Sequence, residues 1–368
     1  WPLAELARAY VFTGFPWAML PQGLLDTPAA QVLAWLGPHG LMVALIAVLT
    51  ALSWRAIVVL PAAGLAAVLL IAPITPPEAT LSTHIMRVVQ PNAPQQQKFD
   101  PAHIPTFNAR LLEATSAGDR PPALVVWPEI ALPYLERHAQ PIFDEIGIQA
   151  RGAPVVLGLQ RRDATGRYYN ALALLDGTQI TQRYDKYHLV PFGEYMPLAP
   201  LMSRFGIAGL AANDLAGFAR GPGPQLIDIP GIGPALPLIC YEAVFAHRAG
   251  AAPSRPALLL HITNDAWFGQ YQGPQQHLAQ ARMRAIEQGL PVVRSANTGI
   301  SGVIDPYGRL LTALPLGTHG HADHALPVAL PPTLYAKTGD LPVLLILALG
   351  VLSLTARRIF VDGPRPQA

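Results

Sequence analysis

Three strand ends in the sequence carry a side chain capable of acid–base or nucleophilic chemistry. Val125-Val126-Trp127-Pro128-Glu129 stops at a proline and delivers a carboxylate, and Leu236-Pro237-Leu238-Ile239-Cys240 ends on the only cysteine of the chain. Between them, Tyr184-Asp185-Lys186 leads into Tyr187-His188-Leu189-Val190-Pro191-Phe192-Gly193-Glu194. A carboxylate just past a strand's C-terminal end stands where open α/β sheets bind ligands. Carboxylate, ammonium and thiol together suit nucleophilic catalysis. A thiol at a strand-to-helix turn beside a lysine is expected to have a lowered pKa. With one cysteine an intramolecular disulfide is impossible, so a thiol role or plain burial remains. Taken singly, each residue has a structural explanation: a small buried hydrophobe, an exposed loop carboxylate, a solvated charge. Their order, with separations of 57 (186 − 129) and 54 (240 − 186) residues, each in a distinctive frame, favours one shared site.

Positioning three strand ends takes a sheet. Strands are expected at His84–Val89, Ala123–Trp127, Pro154–Gln160, Tyr169–Leu175, Ala235–Ile239, Ala257–Ile262, Pro291–Arg294 and Gly302–Ile304. Helices are expected at Thr106–Thr115, Ile142–Arg151, Ala243–Gly250 and Pro274–Gln288. The alternation predicts one α+β domain over residues 81–335, a sheet covered by helices.

The remainder of the chain is of a different character. Hydrophobic residues make up 51% and charged residues only 13% of 368, with mean hydropathy +0.30, which points to membrane spans beside a soluble part. The net charge of +2 offers no basic field for nucleic acid. No Asp, Glu, Lys or Arg occurs from Pro28 to Trp54 or from Ala56 to Pro77, with Arg55 between. This predicts a membrane region over 1–78, an interfacial loop followed by a helical hairpin of arms 31–54 and 56–77; a hairpin buried in a soluble protein is the alternative. A third span is expected at 341–358, closed by Arg357 and Arg358. Placing Arg55 and that pair on the cytoplasmic side puts the domain between the spans on the outer face, the periplasm of a bacterium. Because the chain starts at Trp1 without a signal-peptide n-region, further upstream sequence is expected.

The frames W-P-E, D-K-x-H-L-V-P-F-G-E and C-Y-E resemble the signatures of the carbon–nitrogen hydrolase (nitrilase-like) superfamily, and most closely its membrane branch, the apolipoprotein N-acyltransferase family. Val11-Phe12-Thr13-Gly14-Phe15-Pro16-Trp17, Gly166-Arg167-Tyr168-Tyr169-Asn170, Thr263-Asn264-Asp265-Ala266-Trp267-Phe268 and Arg294-Ser295-Ala296-Asn297-Thr298-Gly299-Ile300-Ser301 share that resemblance. It implies a nitrilase-like αββα sandwich flanked by transmembrane helices in a bacterial inner membrane, catalytic domain on the periplasmic face. It also implies a Glu129–Lys186–Cys240 triad that needs neither cofactor nor metal. The implied reaction moves an acyl chain from a phospholipid to Cys240 as a thioester, then to the amine of a diacylglyceryl-cysteine lipoprotein. Glu194 is implied near Lys186 and Glu129, and Tyr241 and Glu242 as orienting the nucleophile's loop or the incoming amine; Asn170 and Asn264 fit scaffold roles. The family's lid tryptophan is replaced here by Phe99, which keeps the aromatic ring without the indole N–H. Arg282, Arg284 and Arg294 are candidates for a phosphate head group or plain surface positions.

Two other functions compete: a membrane-tethered amidase or nitrilase with water as acceptor, and a non-catalytic lipid-binding scaffold. His319-Gly320-His321-Ala322-Asp323-His324 matches a dinuclear zinc pattern, but in a strand those ligands would lie on alternate faces.

Overall fold

The computed structural model describes residues 1–52, 76–198, 204 and 217–360, which divide into two compact units, Pro76–Pro331 and a second formed by both ends of the chain. The expected C-terminal limit of the α+β domain, residue 335, lies four residues beyond the larger unit.

Among its described residues, the larger unit holds β1 (Leu81–Gln90), β2 (Leu124–Val126), β3 (Val155–Arg162), β4 (Tyr168–Asp176), β5 (Gln179–Asp185), β6 (Ile227–Ile229), β7 (Gly233–Ile239), β8 (Leu258–Thr263), β9 (Val292–Ala296), β10 (Ser301–Ile304), β11 (Leu310–Leu314) and β12 (Gly320–Pro327). They form two six-stranded sheets, ordered β12-β1-β2-β3-β4-β5 and β11-β10-β9-β8-β7-β6. Side chains alternate between sheet faces, so each central strand feeds two cores. Met86, Val88, Leu172 and Leu174 of one sheet meet Ile239, Leu258, Leu260 and Ile262 of the other. The opposite faces of the first sheet, with Val125, Val155 and Leu157, pack on helices Ile104–Ser116 and Gln140–Ala150 through Leu111, Phe143 and Ile146. Leu236, Leu238 and Leu259 pack on helix Gly273–Gln288 through Leu278, Ala281 and Ala285. The result is an αββα sandwich.

All eight expected strands are present. The four that the sequence pattern did not announce, β5, β6, β11 and β12, are the four sheet edges. An edge strand faces solvent along one side and tolerates polar residues, as in Gln179-Ile180-Thr181-Gln182-Arg183, where exposed and half-buried positions alternate. The expected helix at Ala243–Gly250 is instead a 3-10 turn, Cys240–Val244, and one helical turn, Ala246–Ala249, separated by the extended Phe245. Glu242 bends back to accept from the Ile239 N–H at 2.8 Å, closing the turn too tightly for an α-helix to start there.

The terminal unit contains helix Pro2–Tyr10, a helix Leu33–Leu52, a short helix Leu334–Thr338 and a helix Leu341–Phe360. The segment Pro28–Thr50 is long and apolar enough to cross a membrane; the second arm of the expected hairpin, 56–77, lies outside the described residues apart from its last two. The expected C-terminal segment is helical, though its uninterrupted apolar part, Leu341–Ser353, is shorter than a span. Gly37 breaks the helix Leu33–Leu52 with φ 64°, and a Cβ there would sit 2.0 Å from the Tyr335 ring, so only glycine fits. Asp340 gathers this unit, accepting from Tyr10 Oη at 2.6 Å and Tyr335 Oη at 3.2 Å, with His39 Nδ1 at 3.0 Å.

Candidate active site

The strand β2 ends at Val126, and Trp127 is locked by its indole N–H donating to Thr115 Oγ1 at 2.9 Å. Pro128 then turns the chain so that Glu129 leaves the sheet. Gly158 of β3 lies directly under that turn: a Cβ there would meet Glu129 Cα at 2.6 Å. Glu129 is buried, and its carboxylate accepts from three donors. Oε1 accepts from Asn170 Nδ2 at 2.6 Å and Lys186 Nζ at 3.2 Å, and Oε2 from the Asn264 N–H at 2.9 Å. Lys98, also buried, donates to the Glu129 carbonyl at 3.0 Å.

Lys186 follows β5 directly and is 1% exposed. Its ammonium bridges Glu129 Oε1 and Glu194 Oε1, the latter at 2.9 Å. Asn170 donates to Glu194 Oε1 at 2.9 Å as well as to Glu129, and Glu194 Oε2 accepts from the Val190 N–H at 2.8 Å. Glu242 joins this loop to the turn after β7: it accepts from Tyr184 Oη at 2.8 Å, from the Tyr187 and His188 N–H groups at 2.8 and 3.0 Å, and from Ile239. Tyr241 is buried with its ring edge-on to Phe245 at 4.9 Å.

Cys240 opens the 3-10 turn at φ 50°, a left-handed conformation that costs a non-glycine residue about 1–2 kcal/mol. Its thiol is buried and within the fields of both Glu129 and Lys186. The lowered thiol pKa expected from the sequence is not what the structure gives. Burial, then the Glu129 charge, push the Cys240 thiol up, and Lys186 and Thr263 offset only part of that. A five-residue 3-10 turn supplies too little dipole to reverse it. Burial also opposes charge on Glu129, but Lys186, Asn170 and Lys98 outweigh it and hold the carboxyl below its usual value. Burial likewise opposes the Lys186 charge, and Glu129 and Glu194 outweigh it, keeping the ammonium protonated. At rest the site therefore pairs a neutral thiol with an ionised carboxylate: a nucleophile waiting on a base.

The structure thus brings Glu129, Lys186, Glu194, Asn170, Cys240 and Glu242 into one buried cluster. Phe99 is elsewhere in character: 45% exposed, with Lys98 Nζ 6.0 Å from its ring centre. Two of the three arginines considered for a head group are unsuited to it. Arg284 is buried against Glu287 at 2.5 Å and Arg294 against Asp265 at 2.5 Å, and a guanidinium enclosed inside the protein is out of reach of a head group. Arg282 Nε donates to the Gly308 carbonyl at 2.7 Å. In the histidine-rich strand, Asp323 is taken by Arg87 at 2.6 Å.

Lys98 was missed from sequence, where its aromatic neighbour drew attention; a lysine one residue from an expected lid was the available signal. Burial, only partly offset by Glu129, lowers its pKa from 10.5 to about 8. Between those values the unfolded chain holds a proton that the folded protein has released, so stability rises with pH across that window. Relative to Lys98→Met, the wild type is expected to gain roughly 1–3 kcal/mol as pH climbs from about 8 to about 10.5. Thermal melts in detergent at about pH 7 and about pH 10 measure it; parallel shifts of both proteins would refute the buried cation.

The sequence profile of the carbon-nitrogen hydrolase family matches residues 106–330, and that of the apolipoprotein N-acyltransferase N-terminal domain matches residues 1–52. An apolipoprotein N-acyltransferase of Bradyrhizobium diazoefficiens is 38% identical over 98% of this chain and 73% of its own length. One of Rhodopseudomonas palustris is 35% identical over 97% and 72%. Among solved structures, a CN-hydrolase superfamily protein of Xanthomonas campestris with an arsenic adduct in its active site aligns with TM-score 0.48 at 19% identity, covering 72% of this chain and 96% of that one.

Proposed function

The chain belongs to the apolipoprotein N-acyltransferase family, enzymes built on the carbon–nitrogen hydrolase fold, and from that premise we propose that it carries a phospholipid acyl chain on Cys240 and hands it to a lipoprotein amine. The observation that carries this reading is the pairing of an ionised, donor-ringed Glu129 with the sole cysteine of the chain.

In the first half-reaction the Cys240 sulfur attacks the ester carbonyl of the phospholipid while Glu129 accepts the thiol proton. Lys186 and main-chain N–H groups of the Cys240 turn steady the tetrahedral oxyanion. The ester C–O bond breaks, Glu129 returns its proton to the departing alkoxide, and a lysophospholipid leaves behind a thioester. In the second, the free amine of a diacylglyceryl-cysteine attacks that thioester. Glu129 takes a proton from the nitrogen, the C–S bond breaks, and the sulfur recovers a proton, leaving an amide. Glu194 and Asn170 keep Lys186 and Glu129 aligned, and Glu242 ties the lysine loop to the nucleophile's turn. Phe99 covers the acyl chain from the exposed side.

Both substrates carry long acyl chains, and drawing one into water costs about 0.8 kcal/mol per exposed methylene. We place the αββα unit, residues 81–335 in the sequence reading, on the periplasmic face of the inner membrane. The segment Pro28–Thr50 acts as a span. A site at the lipid surface also keeps the thioester dry, which favours an amine over water.

The test is the intact mass of the detergent-solubilised protein before and after incubation with phosphatidylethanolamine micelles. An increment of one acyl chain, discharged by a diacylglyceryl lipopeptide, is expected. Absence of any adduct, with release of ammonia from simple amides, would establish the water-using amidase instead.

A further inference from the structure

Behind the candidate active site lies a fully buried set of charged and polar groups that the proposed acyl transfer does not use. Asp265 is 0% exposed. Its Oδ2 accepts from Arg294 Nη2 at 2.5 Å, and its Oδ1 from Thr263 Oγ1 at 3.0 Å, with His277 Nδ1 at 2.8 Å. The other nitrogen of His277, Nε2, lies 3.2 Å from the carbonyl oxygen of Cys240. The ring thus spans the Asp265 carboxylate and the Cys240 carbonyl.

A second imidazole converges on the same place. His261 of β8 lies opposite Arg294 of β9 in the sheet register, and Arg294 Nη1 stands 2.8 Å from His261 Nδ1. A guanidinium only donates, so His261 Nδ1 accepts and its proton rests on Nε2. Burial first, then the charge of Arg294, hold His261 neutral. The two rings meet edge to face at 5.0 Å.

These contacts bear on one peptide plane. The Cys240–Tyr241 peptide is trans, so its N–H points opposite to its C=O. With the carbonyl drawn rearward to the His277 imidazole, the Tyr241 N–H is turned forward, toward the side on which an acyl oxyanion forms at Cys240. The left-handed φ of Cys240 is held by the bond at its carbonyl.

We propose that the buried Arg294–Asp265–His277 relay, with His261, is a positioning device that clamps the carbonyl of the nucleophile's own peptide and thereby aims an oxyanion-stabilising N–H. It rests on the acyl-enzyme reading above and deepens it. His277 and Asp265 touch no reacting atom; they act through the Cys240 backbone.

The device separates two reactions of one sulfur. Acylation passes through a tetrahedral oxyanion, whereas alkylation by iodoacetamide is a direct displacement that forms none. In the full chain in detergent, His277→Leu is expected to slow acyl-enzyme formation from phospholipid by about 100-fold, the cost of one misaimed oxyanion donor. Iodoacetamide labelling of Cys240 should stay within about threefold of wild type. His277→Gln, whose amide can donate to the same carbonyl, should recover about tenfold of the loss. Asp265→Asn keeps the oxygen facing His277 while removing the charge behind it, and should slow acylation about tenfold with labelling again preserved; it decides the matter if His277→Leu does not fold. Equal loss of acylation and labelling in the variants, or acylation at the wild-type rate, overturns the clamp. A wild-type protein that never acylates overturns the acyl-enzyme reading itself, a result the variants cannot produce.

Discussion

Cys240→Ser is expected to lose the acyl adduct from its intact mass and to lower lipoprotein acylation by at least about 10³-fold. The reason is the state in which the sulfur rests. Burial and the Glu129 charge keep the thiol protonated, so everything depends on Glu129 accepting the proton as the bond to carbon forms. A carboxylate can do this for a thiol, but a serine hydroxyl is a far weaker acid, and the same base cannot draw its proton at a useful rate. The substitution is nearly isosteric and leaves the left-handed turn and the bonds around its carbonyl in place. Folding should therefore persist, which a thermal melt beside the mass measurement verifies. Turnover of Cys240→Ser at the wild-type rate would remove Cys240 as the nucleophile.

Glu129→Gln should fail at the same step for a different reason, again by about 10³-fold. Here the loss reaches stability as well. The carboxylate offers its two oxygens to Asn170, Lys186 and the Asn264 N–H; a glutamine offers one oxygen, and its NH₂ faces donors. Lys186 keeps Glu194 but loses one of its two buried anions, and removing one partner of a buried pair costs on the order of 3–5 kcal/mol. The pH dependence carries a sign. A carboxyl held below its usual value contributes stability that is present above about pH 4.5 and is lost as pH falls through the folded-state value. Wild type should therefore lose stability in acid faster than Glu129→Gln, and the gap between them should close. Acyl-enzyme in normal amount in Glu129→Gln would assign the proton transfer to another group.

These two expectations and the His277 experiment interrogate one sulfur in three ways: whether it is the nucleophile, what takes its proton, and what aims the donors around it. Loss at Cys240 with retention at His277 would leave a simpler site, held by the Glu242 turn alone.

Much of the domain was legible in the chain. The central strands announce themselves because both their faces are buried, so Val125–Val126 and Leu236–Ile239 are apolar without a break. Glu129 and Cys240 sit where such runs end, and Lys186 opens its own frame, Lys186-Tyr187-His188-Leu189-Val190-Pro191-Phe192-Gly193-Glu194, between them. The edge strands were not legible, because a half-solvated strand has no apolar signature, and Gln179–Asp185 has the composition of a loop. Nor was Lys98, or the convergence of Asp265, His277, His261 and Arg294 behind Cys240. Those groups come from different elements, and nothing local in sequence marks a charge as buried. The direction of the thiol's pKa reversed for the same cause. A strand-to-helix turn and a nearby lysine are sequence features, but desolvation and the distance to Glu129 are properties of the packed sandwich, and in a buried site they outweigh the rest. Composition and pattern determined which residue types would meet; only the closure of two sheets decided how dry the meeting place is, and so which proton moves.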